Sequence, residues 1–262
     1  MDKEEYELNN SVLRFYDEIA DDYHLIFHDW NGAIARQGEI LDRLIQSKLT
    51  RTSNTTLLDC SCGIGTQAIG LAQLGYNVSA TDISPASVRR AEEEAIARGV
   101  KINFGVADFR TLDQDVQGSY DVVLSADNAI PHLLADEDLR TAFANFHTKL
   151  NQNGLLAITI RDYDELSIEK LPSTQPRLFD GGKRIVFQVW DWAQDGKTYT
   201  VNQFILQENN EEWSTKHYRT EYRALLREEV NEVLSGAGFT DIEWHLPEQS
   251  GYYQPIVTAR KP

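Results

Sequence analysis

The sequence is poor in cysteine and in basic residues, and no apolar run approaches the roughly 20 residues that a bilayer span needs. Its two cysteines, Cys60 and Cys62, are too close together to staple a fold, so no disulfide framework is expected. The opening MDKEEYELNN has neither the basic flank nor the apolar core of a secretory leader, and a reducing, cytoplasmic location is the default. Against 25 Lys and Arg stand 41 Asp and Glu, a formal charge of −16. That charge repels phosphate backbones, which excludes nucleic acid as an expected partner. No internal repeat, low-complexity tract or long linker interrupts the chain. What remains, 262 residues with 41% hydrophobic and 25% charged, is an ordinary globular composition, enough for one large domain with embellishments.

Residues 11–29 carry Leu13, Tyr16, Ile19, Tyr23 and Phe27 at helical spacing, and a second helical stretch runs from Ile34 to about Leu49. From Thr55 the pattern changes to short apolar runs, Thr55–Leu58, Asn77–Ala80, Ile102–Val106, Tyr120–Leu124 and Leu155–Ile160, separated by helical segments. Such alternation predicts a parallel sheet covered on both faces. Ser84 followed by Pro85 reads as an N-cap and first helical position, and Gly99 as the stop. Between about Leu178 and Thr220 the period becomes two, which predicts a three-stranded antiparallel meander. A helix is expected from Tyr222 to Ser235, then strands near Ile242–Trp244 and Pro255–Ala259. The predicted fold class is α/β: a Rossmann-like, seven-stranded, mostly parallel sheet with helices on both faces. Residues 1–52 would form an N-terminal helical lid, 53–163 and 221–262 the core, and 164–220 the inserted antiparallel subdomain.

The segment LLDCSCGIGTQA passes from a strand through Gly63 and Gly65 into a helix, a geometry that lets a ligand approach backbone N–H groups at a helix N-terminus. Nineteen residues after Gly63, Asp82 ends the second strand, where a carboxylate can accept from both hydroxyls of a ribose. These two features alone also fit a nicotinamide dinucleotide. Asp59, just before the glycines, separates the readings: it would receive the positive end of an amino-acid moiety and repel a pyrophosphate.

An apolar-apolar-Asp strand end, Cys62-Gly63-x-Gly65 and the acidic second strand end in TDIS together resemble the class I S-adenosylmethionine-dependent methyltransferases over most of the chain. The resemblance implies that the glycine loop cradles the methionine part of S-adenosylmethionine and that Asp82, with Ile83 beside it, holds the ribose. It implies that Asp108 and Phe109 bind and flank the adenine, and that S-adenosylhomocysteine is the product. Ser61 stands where many relatives have glycine or alanine, a departure that adds a hydroxyl to the loop.

After the fourth strand, Ser125-Ala126-Asp127-Asn128-Ala129-Ile130-Pro131-His132 departs from the Asn-Pro-Pro-aromatic loop of amide and base methylases. Asn128, His132 and Arg161 in TIRDYD, with the N-terminal FYDEIADDYHLIFHDW, are similar to the glycine and glycine/sarcosine N-methyltransferase branch. Arg161 is the candidate for substrate recognition, because a planar guanidinium matches a carboxylate with two parallel hydrogen bonds. The alternative is an ion pair with Asp162 or Asp164. In that branch Tyr16, Tyr23, Trp30 and Arg36 would fold over the cofactor, Arg36 meeting its carboxylate, and Tyr222 would contact substrate; for Tyr16 and Trp30 an amphipathic packing face is an equal alternative. Ala126 and His132 would border the cofactor, or His132 would assist proton loss; the sequence leaves both roles open.

His24 and His28 have the spacing of a helical metal pair but lack the glutamate of His-Glu-x-x-His, so no metal site is expected. Cys60 and Cys62 read as packing residues. The expected activity is methyl transfer to a small amine bearing a carboxylate, with Asn128, Arg161 and Tyr222 at the acceptor. Standing beside it are a methyltransferase for another small molecule, a nicotinamide-dependent oxidoreductase and a non-catalytic binding protein.

Overall fold

Helix ends fall where local chemistry places them in the computed structural model, which describes residues 3–262. α1 (Lys3–Ile19) stops in a turn closed by the Asp22 N–H on the Ile19 carbonyl at 2.8 Å, and a 3-10 helix follows at Tyr23–Ile26. The single helix expected over 11–29 therefore breaks after Ile19. It also parts His24 from His28, which do not share a helix. α2 (Trp30–Lys48) begins four residues before Ile34, because the Asp29 carboxylate accepts from the Gly32 N–H at 3.0 Å and caps it.

The alternation then runs as read. β1 (Thr56–Asp59), α3 (Thr66–Gln73), β2 (Asn77–Asp82), α4 (Pro85–Ala97) and β3 (Asn103–Val106) are followed by α5 (Leu112–Asp115), β4 (Tyr120–Ser125), α6 (Asp136–Lys149) and β5 (Leu150–Thr159). Ser84 caps α4 through its hydroxyl on the Ser87 N–H at 3.0 Å, with Pro85 at the first position.

After α7 (Tyr163–Glu169) come β6 (Arg177–Phe179), β7 (Arg184–Trp192), β8 (Thr198–Asn209) and β9 (Glu212–Arg223), an antiparallel sheet in that order. Three strands were expected. β6 is the fourth, and at three residues it is too short to show an alternation. The helix expected from Tyr222 starts later, as α8 (Arg227–Gly236), because β9 keeps pairing with β8 through Arg223; Tyr222 lies opposite Tyr199. β10 (Thr240–His245), α9 (Pro247–Ser250) and β11 (Ile256–Arg260) complete the chain.

The seven-stranded sheet has the order β10-β11-β5-β4-β1-β2-β3, with β11 antiparallel to both neighbours. Because β1 has β2 on one side and β4 on the other, the strand order reverses beside it and a crevice opens at the carboxyl ends of β1 and β4. Side chains alternate across the sheet. Leu57 packs with Leu41 and Ile45 of α2 and Leu71 of α3, whereas Leu58 packs with Phe143 and Phe146 of α6. Each such side chain, fully buried, contributes roughly 1.5–3 kcal/mol of apolar transfer. α2 meets α3 at paired glycines: a Cβ on Gly38 would lie 2.9 Å from the Gly70 carbonyl carbon. Among the described residues no helix is long and apolar enough to cross a membrane.

Candidate active site

β1 delivers the chain into the loop Cys60–Gly65 at the crevice. Gly63 takes φ +50, and a Cβ there would meet nothing within 4 Å, so its face is open to the cleft. Gly65 takes φ +92 as the N-cap of α3; a Cβ there would come 2.9 Å from Ile69. Gly65 is thus a packing glycine and does not line the cleft. The Asp82 carboxylate accepts from the Gly63 N–H at 2.8 Å and the Ser84 N–H at 3.0 Å, which ties β2 to the loop. Burial raises this carboxyl to about 6, against the opposing pull of those N–H donors. Each oxygen keeps acceptor capacity toward the cleft.

Ser61, Gly63, Asp82, Ile83, Asp108 and Phe109 form the floor and one wall of the cleft. Ala126 and His132 form the other wall, while Tyr16 and Tyr23 cover it from the N-terminal segment. Asp108 accepts from the backbone N–H and Nε of Arg110, both at 2.9 Å, so one neighbour fixes its carboxylate while it still borders the cleft. The Phe109 ring meets Phe146 edge-on at 5.5 Å.

Besides Gly65, two more expected residues lie behind this surface. Asp59 is fully buried beneath the loop, accepting only from the Ser61 N–H at 3.3 Å, and its Oδ2 has no partner. Desolvation raises it to about 8. Trp30 packs with Ile34, Ile64 and Ile69 and donates to the Thr66 hydroxyl at 2.8 Å; it lines neither cavity.

A second, larger cavity adjoins the cleft, sharing Tyr16, Tyr23 and Asp127 with it. Arg36, Asn128, Arg161 and Tyr222 all line this second space, so Arg36 stands there and not on the glycine-loop cleft. Arg161 donates to the Tyr199 hydroxyl at 2.7 Å and to Gln188 Oε1 at 3.0 Å, and its guanidinium lies over Trp190 and Tyr222. Asp162 and Asp164, its expected rivals, are held by Arg227 instead. Asn128 accepts from the Arg161 backbone N–H at 3.0 Å and the Tyr163 hydroxyl at 3.1 Å, and its buried Nδ2 has no partner.

His132 Nδ1 is 3.0 Å from the Glu221 carbonyl and Nε2 is 2.9 Å from the Tyr16 hydroxyl. A carbonyl only accepts, so we assign the proton to Nδ1 and make Nε2 the acceptor from Tyr16. Burial lowers the imidazole to about 3, which keeps it neutral. Tyr16 and Tyr23 are raised well above ordinary phenols by the same desolvation and stay protonated.

Three further residues belong to the site. Asp17 of α1 accepts from the Ser84 hydroxyl at 2.6 Å and the Ala86 N–H at 3.1 Å, fastening the lid to α4. Gln67 of α3 lines the cleft, and Asp127 borders both cavities. Asp127 and Asn128 take φ +58 and +67. The Asp-Asn pair is the one signal the sequence offers, since these side chains tolerate the left-handed region best after glycine.

Residues 57–154 match the family model described as a methyltransferase domain. A glycine/sarcosine N-methyltransferase from Parasynechococcus marenigrum is 33% identical over 138 residues, which cover 53% of this chain and 48% of that protein. One of the same name from Halorhodospira halochloris is 27% identical over 194 residues, 69% of each chain. The match thus spans about half the length of the first of these relatives. Among solved structures, the CcbJ methyltransferase from Streptomyces caelestis superposes with a TM-score of 0.76 at 18% identity, over 94% of this chain and 97% of that one. An S-adenosylmethionine-dependent methyltransferase from Clostridium acetobutylicum gives 0.72 at 16% identity, over 86% and 90%. At such identities the likeness is one of fold, the class I methyltransferase fold.

Proposed function

We propose that this chain, whose residues 57–154 form a methyltransferase domain, is an S-adenosylmethionine-dependent enzyme that methylates the amine of a small carboxylate-bearing acceptor such as glycine or sarcosine. The observation that carries this reading is an unpaired guanidinium, Arg161, beside an unpartnered amide donor, Asn128 Nδ2, in a cavity that opens on the glycine-loop cleft. Two of the five guanidinium N–H groups are committed to Tyr199 and Gln188, and the rest are free for two parallel bonds to a carboxylate. The names of the relatives from Parasynechococcus and Halorhodospira support the same acceptor class.

The residues present fit the cofactor. The open face of Gly63 and the spare acceptor capacity of Asp82 suit a nucleoside bound across the loop. When bound, S-adenosylmethionine supplies an electrophilic sulfonium methyl, so no covalent nucleophile is needed from the protein.

The chain's task is orientation and exclusion of water. Arg161 and Asn128 would hold the acceptor's carboxylate and direct its amine toward the junction marked by Tyr16 and Tyr23, where orientation lowers the entropic part of the barrier. His132 pulls the Tyr16 proton toward itself, leaving the Tyr16 oxygen lone pairs facing the junction. Its neutral ring, 4.2 Å from Tyr222 and tilted 33° to it, acts as a support for both tyrosines.

S-adenosylhomocysteine release, measured with glycine, sarcosine, dimethylglycine and carboxylate-free amines against an acceptor-free control, tests the proposal. Turnover confined to the amino acids is expected. Turnover with carboxylate-free or much larger amines would replace it with a different small-molecule acceptor.

A further inference from the structure

Arg161 and Asp127 carry opposite charges in one cavity, and neither forms an ion pair among the described residues. Arg161 has an assigned partner in the acceptor's carboxylate. Asp127 has none, although it stands where the two cavities meet.

The Asp127 side chain is held rigidly. Oδ1 accepts from the Tyr252 hydroxyl at 2.8 Å and the Tyr253 hydroxyl at 2.6 Å, and Oδ2 accepts from Gln67 Nε2 at 2.8 Å. Oδ1 is saturated, but Oδ2 keeps one lone pair. The backbone is fixed as well, by the Asp127 N–H on the Thr159 hydroxyl at 2.8 Å, in a left-handed conformation shared with Asn128. Glycine would occupy that conformation without strain, so the turn alone does not call for an aspartate.

We propose that Asp127 is the counter-charge for the acceptor's ammonium group and the base that takes its proton. The proposal rests on the methyl-transfer reading above and completes it: Arg161 and Asn128 take the negative end of a zwitterion, and Asp127 takes the positive end. An ammonium nitrogen has no lone pair with which to attack. One N–H proton passes to Asp127 Oδ2, leaving a neutral amine and a carboxylic acid. The nitrogen pair then forms the bond to the methyl carbon as the carbon–sulfur bond breaks and its electron pair stays on sulfur. The acceptor leaves as a methylated ammonium, and the Asp127 proton returns to solvent.

The surroundings favour this assignment. Burial raises the Asp127 carboxyl, which the Tyr253, Tyr252 and Gln67 donors only partly offset. Arg36, Arg161 and Arg177 line the same cavity, Tyr23 borders it, and Asp59 lies behind. His132, the other candidate base, has both ring nitrogens committed.

Binding of sarcosine and of acetate, its analogue without the ammonium, is measured by calorimetry in the presence of S-adenosylhomocysteine. The proteins compared are the wild type, Asp127→Asn and Asp127→Gly, the last relieving rather than adding backbone strain. The wild type is expected to prefer sarcosine by about tenfold or more, the scale of one charge-assisted hydrogen bond. Both variants should bind acetate as the wild type does, lose the preference, and lose about a hundredfold or more in kcat for methyl transfer. A variant of unchanged Tm that keeps the preference overturns the proposal and leaves the carboxylate reading intact. If the wild type binds S-adenosylhomocysteine but neither sarcosine nor acetate, the carboxylate-amine reading fails, and the role of Asp127 falls with it.

Discussion

Arg161 is available to a ligand because Arg227 occupies the two aspartates next to it. A side chain so placed should show its function in the acceptor and not in the cofactor. Arg161→Ala is expected to raise KM for the acceptor and to cost about 2–4 kcal/mol in kcat/KM, with S-adenosylhomocysteine affinity unchanged. Initial rates against acceptor concentration check this; an unaltered KM counts against the carboxylate clamp. Asp59 makes a second prediction, about pH. Its folded-state value, about 8, lies above its ordinary 3.8, so the folded protein keeps a proton that the unfolded chain releases. The resulting stability is fully present below pH 4 and is lost as pH rises toward 8. Thermal unfolding of the cofactor-free protein should therefore show the wild type losing ground to Asp59→Asn across pH 4–8; parallel curves would locate the titration elsewhere.

Helix α1 packs Phe15 and Ile19 against Val186, Ile205 and Tyr218 of the antiparallel sheet, and polar contacts at its C-terminal end add to that packing. Asp17 fixes it to the start of α4, and just beyond its end Asp22 accepts from the Tyr218 hydroxyl and Lys216 of β9 at 2.5 and 2.6 Å. The Asp17 carboxylate also sits at a helix N-terminus, where the dipole favours negative charge. Asp17→Ala removes about 1 kcal/mol of capping and should weaken S-adenosylhomocysteine binding roughly fivefold. Hydrogen exchange should quicken in α1 while the strands of the main sheet stay protected. Uniform protection in α1 would mean that the lid is secured by its apolar face alone. β9 likewise acts as one element: it carries Tyr222 to the acceptor cavity and supplies the Glu221 carbonyl that fixes the His132 tautomer.

At the scale of the whole molecule the charge of −16 is the dominant quantity. Like charges spread over one surface repel, and salt screens them: the Debye length falls from about 30 Å at 0.01 M to about 3 Å at 1 M. Tm is expected to rise with monovalent salt over that range. A flat or falling Tm would show that local ion pairs such as Arg90–Glu94 and Arg223–Glu229 outweigh the net repulsion.

Sequence by itself determined the βα alternation, the glycine turn and the placement of Asp82, Asp108 and Arg161 at strand ends. The reason is that propensity, periodicity and capping act within a few residues, so Ser84-Pro85 or the two-residue period of β7 and β8 can be read from a short window. Tertiary structure alone decided the rest. Trp30 reads equally as a lid or a packing residue, and its contact with Thr66 of α3 decides for packing; His132 is open between two roles until Tyr16, 116 positions away, and the Glu221 carbonyl claim its two nitrogens. Asp127 became visible as a site residue only when Gln67, Tyr252 and Tyr253 converged on it. Which charges end paired and which remain free is settled by contacts between distant segments, and a local stretch of sequence does not contain them.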